Sequence, residues 1–103
     1  MKIVAWNVRG MNHPLKQREV VSRIGRLKAN LVCLFETRVK EPNVKKIIER
    51  WFSDCNYIHN YSYTINGRIW MLWKEEIQVT YIDSFDQNIT VCIQYDVYKF
   101  YLS

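Results

Sequence analysis

The chain has 103 residues, enough for one small domain that buries about 60–70% of its unfolded surface and too few for a second. Fifteen Lys and Arg against ten Asp and Glu give a formal charge of +5 and a pI near 9.2, which favours a polyanion as partner without naming one. The longest apolar runs are about five residues, far below a membrane span, and no signal peptide, repeat or low-complexity segment is visible.

The first element is a strand. Ile3, Val4, Ala5, Trp6 and Val8 form a nearly continuous apolar run, a pattern that suits a strand buried on both faces. Asn7 interrupts it. A buried amide without partners costs about 1–3 kcal/mol, so Asn7 needs either a structural partner or a function. From Pro14 to Ala29, Val20, Val21, Ile24 and Leu27 recur at helical spacing, with Lys16, Arg18, Arg23 and Lys28 mostly elsewhere. A second apolar strand, Leu31 to Phe35, then ends in Glu36.

The order strand, helix, strand fits a right-handed crossover between two parallel strands. Asn7 and Glu36, 29 positions apart, are then expected side by side at the carboxyl ends, where open α/β sheets bind ligands. A second helix is expected from Pro42 to Phe52, with Val44, Ile47, Ile48 and Trp51 inward and Lys45, Lys46, Glu49 and Arg50 forming a solvated outer face. From Asn56 onward the chain reads as β. Tyr57 to Ile65 leads into an Asn66-Gly67 hairpin turn and a returning strand, Ile69 to Trp73. Strands at 77–82, 89–95 and from 97 onward follow, with turns at Asp86-Gln-Asn88 and Asp96.

Fifteen aromatics could form stacking platforms for single strands, but most alternate within strands, which favours core packing. Cys33, Cys55 and Cys92 are odd in number and form no C-x-x-C pair, so reduced thiols are expected. Asn60-Tyr-Ser62 and Asn88-Ile-Thr90 match the glycosylation pattern but carry no weight without a secretory route.

Four segments in order, Trp6-Asn-Val-Arg-Gly10, Pro14-Leu-Lys-Gln-Arg18, Glu36-Thr-Arg38 and Gly67-Arg-Ile-Trp-Met-Leu-Trp73, resemble the endonuclease/exonuclease/phosphatase superfamily. The likeness is to endonuclease domains of plant LINE-type (non-LTR) retrotransposons. It spans residues 1–103 and only the first part of the family domain. The fold class it implies is α+β: an incomplete four-layered sandwich with one βαβ unit, two helices and antiparallel strands.

The resemblance implies a Mg²⁺- or Mn²⁺-dependent phosphodiester hydrolase. By position Glu36 would be the metal ligand and Asn7 would orient the phosphate or a metal-bound water, while Arg9 and Arg38 would face the nucleic-acid backbone. Abasic-site members carry Asp where Arg9 stands, so general nicking of DNA is expected over abasic-site cleavage. The structural alternative is a carboxylate paired with Arg38 or Arg9 and a turn-capping amide; the resemblance favours the site. Neither His13 nor His59 matches the family's catalytic histidine.

The family's later motifs, a Tyr-containing loop, Asp-x-Asn and a terminal Asp and His, do not occur before Ser103. The expectation is therefore an intracellular, nuclear or cytoplasmic fragment that is inactive alone, with one sheet face bare and open to self-association. A basic, non-catalytic module that binds nucleic acid or another partner is the second reading.

Overall fold

The computed structural model describes residues 1–59, 69–85, 88–96 and 98–102. The crossover expected from the sequence forms: β1 (Ile3–Asn7), α1 (Pro14–Leu27) and β2 (Leu31–Phe35), with the two strands parallel and hydrogen-bonded. His13 caps α1, its Nδ1 accepting from the Leu15 N–H at 3.1 Å, and Pro14 occupies the first turn, where a missing N–H costs nothing. Lys28 ends the helix in left-handed backbone, its N–H donating to the Gly25 carbonyl. Next comes α2 (Glu41–Trp51), with Pro42 in its first turn.

Two sheets follow from the remaining strands, β3 (Asn56–His59), β4 (Ile69–Trp73), β5 (Gln78–Phe85), β6 (Asn88–Tyr95) and β7 (Tyr98–Leu102). The first has the order β1-β2-β4-β3, antiparallel except for β1 with β2; the second is the antiparallel meander β5-β6-β7. The Asn66-Gly67 turn, and Asp86 and Gln87 of the next one, lie outside the described residues. Asp96 turns the chain between β6 and β7 in left-handed backbone.

Alternation along β2 and β4 sorts the core into two layers. Val32, Leu34, Trp70 and Leu72 face the helices, packing with Val20 of α1 and Val44 and Ile48 of α2. Leu31, Cys33, Ile69 and Met71 face the second sheet and meet Ile89, Val91 and Ile93 of β6. The inner face expected to be bare is thus covered over β2 and β4, because the chain crosses from β4 to β5 through a tight turn closed by the Ile77 N–H on the Lys74 carbonyl at 3.1 Å.

The first strand also departs from expectation. β1 is an edge strand, and only Val4 and Trp6 reach the helix-side core; Ile3, Ala5 and Asn7 alternate with them and stay exposed. A continuous apolar run fails to distinguish a doubly covered strand from an edge whose second face is open. The amide of Asn7 is therefore solvated and carries no burial penalty, contrary to what its place in an apolar run implies.

Candidate active site: two left-handed loops at the ends of β1 and β2

Past the last rungs of β1 and β2 the two chains continue side by side. The Val8 N–H donates to the Phe35 carbonyl at 3.0 Å, the Gly10 N–H to Glu36 at 2.8 Å and the Met11 N–H to Thr37 at 2.8 Å. The side chains of Val8, Met11, Thr37 and Val39 are fully buried and pin both loops to the domain. Between these anchors the polar residues Arg9 and Arg38 point away from the core and are exposed.

This end of the sheet concentrates unusual backbone. Of the six described residues with positive φ, four lie here: Arg9 at 54°, Gly10 at 110°, Glu36 at 53° and Arg38 at 55°. Left-handed backbone costs a non-glycine residue about 1–2 kcal/mol, and it persists only where neighbouring contacts over-determine it. Such strain gathers at sites that act on ligands.

The ladder places Asn7 level with Phe35, so Glu36 stands one residue beyond Asn7 and not beside it. Sequence spacing alone puts them abreast; the observed register pairs Asn7 with the residue before Glu36. Glu36 is half-buried, and its Oε2 accepts from Arg38 Nη2 at 3.3 Å. Arg38 is further held by its own carbonyl, which accepts from Asn12 Nδ2 at 2.8 Å. The carboxylate pairing read from the sequence as the structural alternative is thus present. It coexists with an exposed carboxylate edge, since the Glu36 side chain retains 40% of its accessible surface.

Trp6 of the opening motif belongs to the scaffold. Lys16 Nζ lies 5.7 Å and the Arg23 guanidinium 5.0 Å from its ring centroid, so two cations of α1 cover the helix-facing side of the edge strand. His13 is consumed as a helix cap. His59, in β3, has its pKa lowered chiefly by burial and stands on the opposite edge of the sheet from β1.

Sequence reasoning passed over Gln17. Its side chain is buried, Nε2 donating to the Met11 carbonyl at 2.8 Å and Oε1 accepting from Trp51 Nε1 at 2.8 Å. The signal was available: Gln17, Val20, Val21 and Ile24 have i, i+3, i+4, i+7 spacing, which puts an amide on the apolar stripe of α1.

With this geometry established, comparison with known proteins places the fold. A match covering 91% of the chain aligns it with the crystal structure of ANGEL2, a 2',3'-cyclic phosphatase, at a TM-score of 0.54 and 10% identity, over 37% of that protein. The fold is endonuclease/exonuclease/phosphatase-like in part. In sequence the chain is 27% identical over 91 residues to an exodeoxyribonuclease of Bacillus subtilis (strain 168), which covers 85% of the chain and 35% of that enzyme. The chain thus spans little more than a third of either protein. No protein-family model matches it. No helix among the described residues is long and apolar enough to cross a membrane.

Proposed function

We propose that residues 1–103 are the amino-terminal part of a metal-dependent phosphodiesterase domain of the retrotransposon endonuclease type, a part that binds a nucleic-acid backbone and does not hydrolyse it unaided. The observation that carries this reading is the pair of strained, cross-linked loops at the carboxyl ends of β1 and β2, which bring Arg9, Glu36 and Arg38 to one end of the sheet next to Asn7. In this reading Arg9 and Arg38 contact phosphate and Asn7 orients it.

A divalent metal suits the donors by chemistry. The Glu36 carboxylate and the Asn7 carboxamide oxygen are hard ligands of the kind Mg²⁺ or Mn²⁺ prefers, and water and substrate phosphate commonly complete such a shell. Among the described residues no three His, Cys, Asp or Glu side chains are grouped to hold a metal; Glu36 and Asn7 acting alone would make an open, weak site. When bound, the metal would neutralise charge on the phosphoryl oxygens. Activating a water and stabilising the departing oxygen call for further groups, each commonly worth about a hundred- to a thousandfold.

DNA is the proposed partner, engaged through its backbone in the nucleus or cytoplasm. Self-association is proposed at the open patch of Ile3, Ala5 and Phe35 beside the free edge of β1. The second reading, a non-catalytic basic binding module, is favoured by the Glu36–Arg38 pair, in which Arg38 engages one oxygen of the Glu36 carboxylate.

The test is a supercoiled-plasmid nicking course with Mg²⁺ or Mn²⁺, run beside a salt titration of oligonucleotide binding. We expect no nicking beyond that of Glu36→Ala, and binding that weakens steeply with salt and with Arg9→Ala/Arg38→Ala more than with Lys45→Ala/Lys46→Ala. Nicking that vanishes in Glu36→Ala would show a complete site. Binding indifferent to Arg9 and Arg38 would remove the proposed surface.

A further inference from the structure

The left-handed loops are braced from beneath by a relay that ends on the second helix. Trp51 of α2 donates to Gln17 of α1, Gln17 donates to the Met11 carbonyl, and the Met11 N–H donates to Thr37 of the facing loop, every bond at 2.8 Å. Asn12, the next residue, holds the Arg38 carbonyl. Gln17 is the buried turning point. An apolar side chain of similar length would fill the same stripe position without an amide to satisfy, so packing alone gives no reason for a carboxamide. What the carboxamide does, and a methionine cannot, is grip main chain in the loop that follows Arg9 and Gly10.

We propose that Gln17 is the positioning residue of this site. Fixed from behind by the Trp51 indole, its carboxamide holds the Met11 carbonyl. This keeps the 9–12 and 36–38 loops cross-linked in the strained geometry from which Arg9, Glu36 and Arg38 extend. The relay makes α2 part of the site's support although no residue of α2 lies in either loop. What the loops bind rests on the phosphodiester reading; the brace itself does not.

The experiment uses the full chain and two variants. Gln17→Met keeps length and burial but removes both hydrogen bonds, and Trp51→Phe removes the indole donor while keeping an aromatic ring. Native-state amide exchange is read at Gly10 and Met11, with Met71 in the middle of β4 as internal control, and oligonucleotide affinity is measured in parallel. In Gln17→Met we expect protection at Gly10 and Met11 to fall about tenfold further than at Met71, and affinity to fall about three- to tenfold. In Trp51→Phe a smaller loss should appear at the same two amides. Equal loss at all three amides, or none at Gly10 and Met11, would overturn the proposal, and Trp51→Phe decides the matter if Gln17→Met does not fold. If the parent chain binds no oligonucleotide while exchange responds as expected, the phosphodiester reading fails and the brace stands.

Discussion

The Gly10 amide donates to the Glu36 carbonyl at 2.8 Å, joining two residues that both hold left-handed backbone at the ends of adjacent parallel strands. Glu36 bears that conformation at a cost, whereas Gly10 bears it freely. A Cβ added at Gly10 would meet nothing within 4 Å, so Gly10→Ala isolates conformational strain from steric clash. We expect it to destabilise the fold by about 1–2 kcal/mol in chemical denaturation, with an unchanged dependence on denaturant. A neutral substitution would mean that the loop relaxes to an ordinary turn.

The helix-side core should dominate stability. Leu34 of β2 is fully buried in the cluster between the first sheet and the helices, and Leu34→Ala should cost about 2–5 kcal/mol, a large share of a small domain's total. Leu15, on the outer side of α1 and 67% exposed, should change stability by less than about 0.5 kcal/mol when replaced by Ala. Thermal melts of the two variants side by side check the contrast.

Much of this was legible beforehand, for reasons that separate by length scale. Both helices follow from apolar spacing with Pro14 and Pro42 at their starts, and β4 to β7 follow from runs of branched and aromatic residues. The parallel crossover followed from element order. What escaped the sequence was tertiary. Spacing placed Asn7 beside Glu36, but register is decided by backbone pairing, and it set Asn7 against Phe35. An apolar run could not reveal that β1 lies at an edge, nor that β6 would cover β2 and β4. Gln17 was readable as an amide on an apolar stripe, though its partners Met11 and Trp51 were not.

Stability should depend on pH through His59 and through the Asp54–Lys74 pair. Burial lowers the pKa of His59, so the unfolded chain takes up its proton first as pH falls through the ordinary histidine range; stability should decline from about pH 6.5 downward, and His59→Gln should flatten that slope. Lys74, 2.6 Å from Asp54, holds that carboxyl below its usual range. The Asp54 contribution is therefore present above the ordinary carboxylate pKa and lost as pH falls through the lowered one. Lys74 is raised in turn, so its contribution is present below its ordinary pKa and lost only in strong alkali. Both side chains are substantially exposed, and Asp54→Asn should cost less than about 1 kcal/mol at neutral pH. Denaturant titrations extended from about pH 2 to 8 separate the His59 effect, in the upper part of that range, from the Asp54 effect, which lies below the ordinary carboxylate pKa.

Arg38 should act on metal and phosphate in opposite directions. Its guanidinium lies 3.3 Å from the Glu36 carboxylate, satisfying one oxygen and setting a positive charge where a divalent cation would approach. Removing it in Arg38→Ala leaves Glu36 with its negative charge uncompensated at close range, so Mn²⁺, followed by paramagnetic broadening of resonances from Asn7 and Glu36, should bind a few-fold more tightly than to the parent chain. The same substitution deletes a proposed phosphate contact, so oligonucleotide affinity should fall and its salt dependence become shallower by roughly one counterion. Glu36→Gln provides the complementary arm: Mn²⁺ broadening should disappear, while oligonucleotide binding should hold or strengthen as a negative charge leaves the basic end of the sheet. If Arg38→Ala weakens both ligands together, the guanidinium is needed to shape the loop and not to compete for the carboxylate; the assignment of Glu36 as a metal ligand screened by Arg38 would then be wrong.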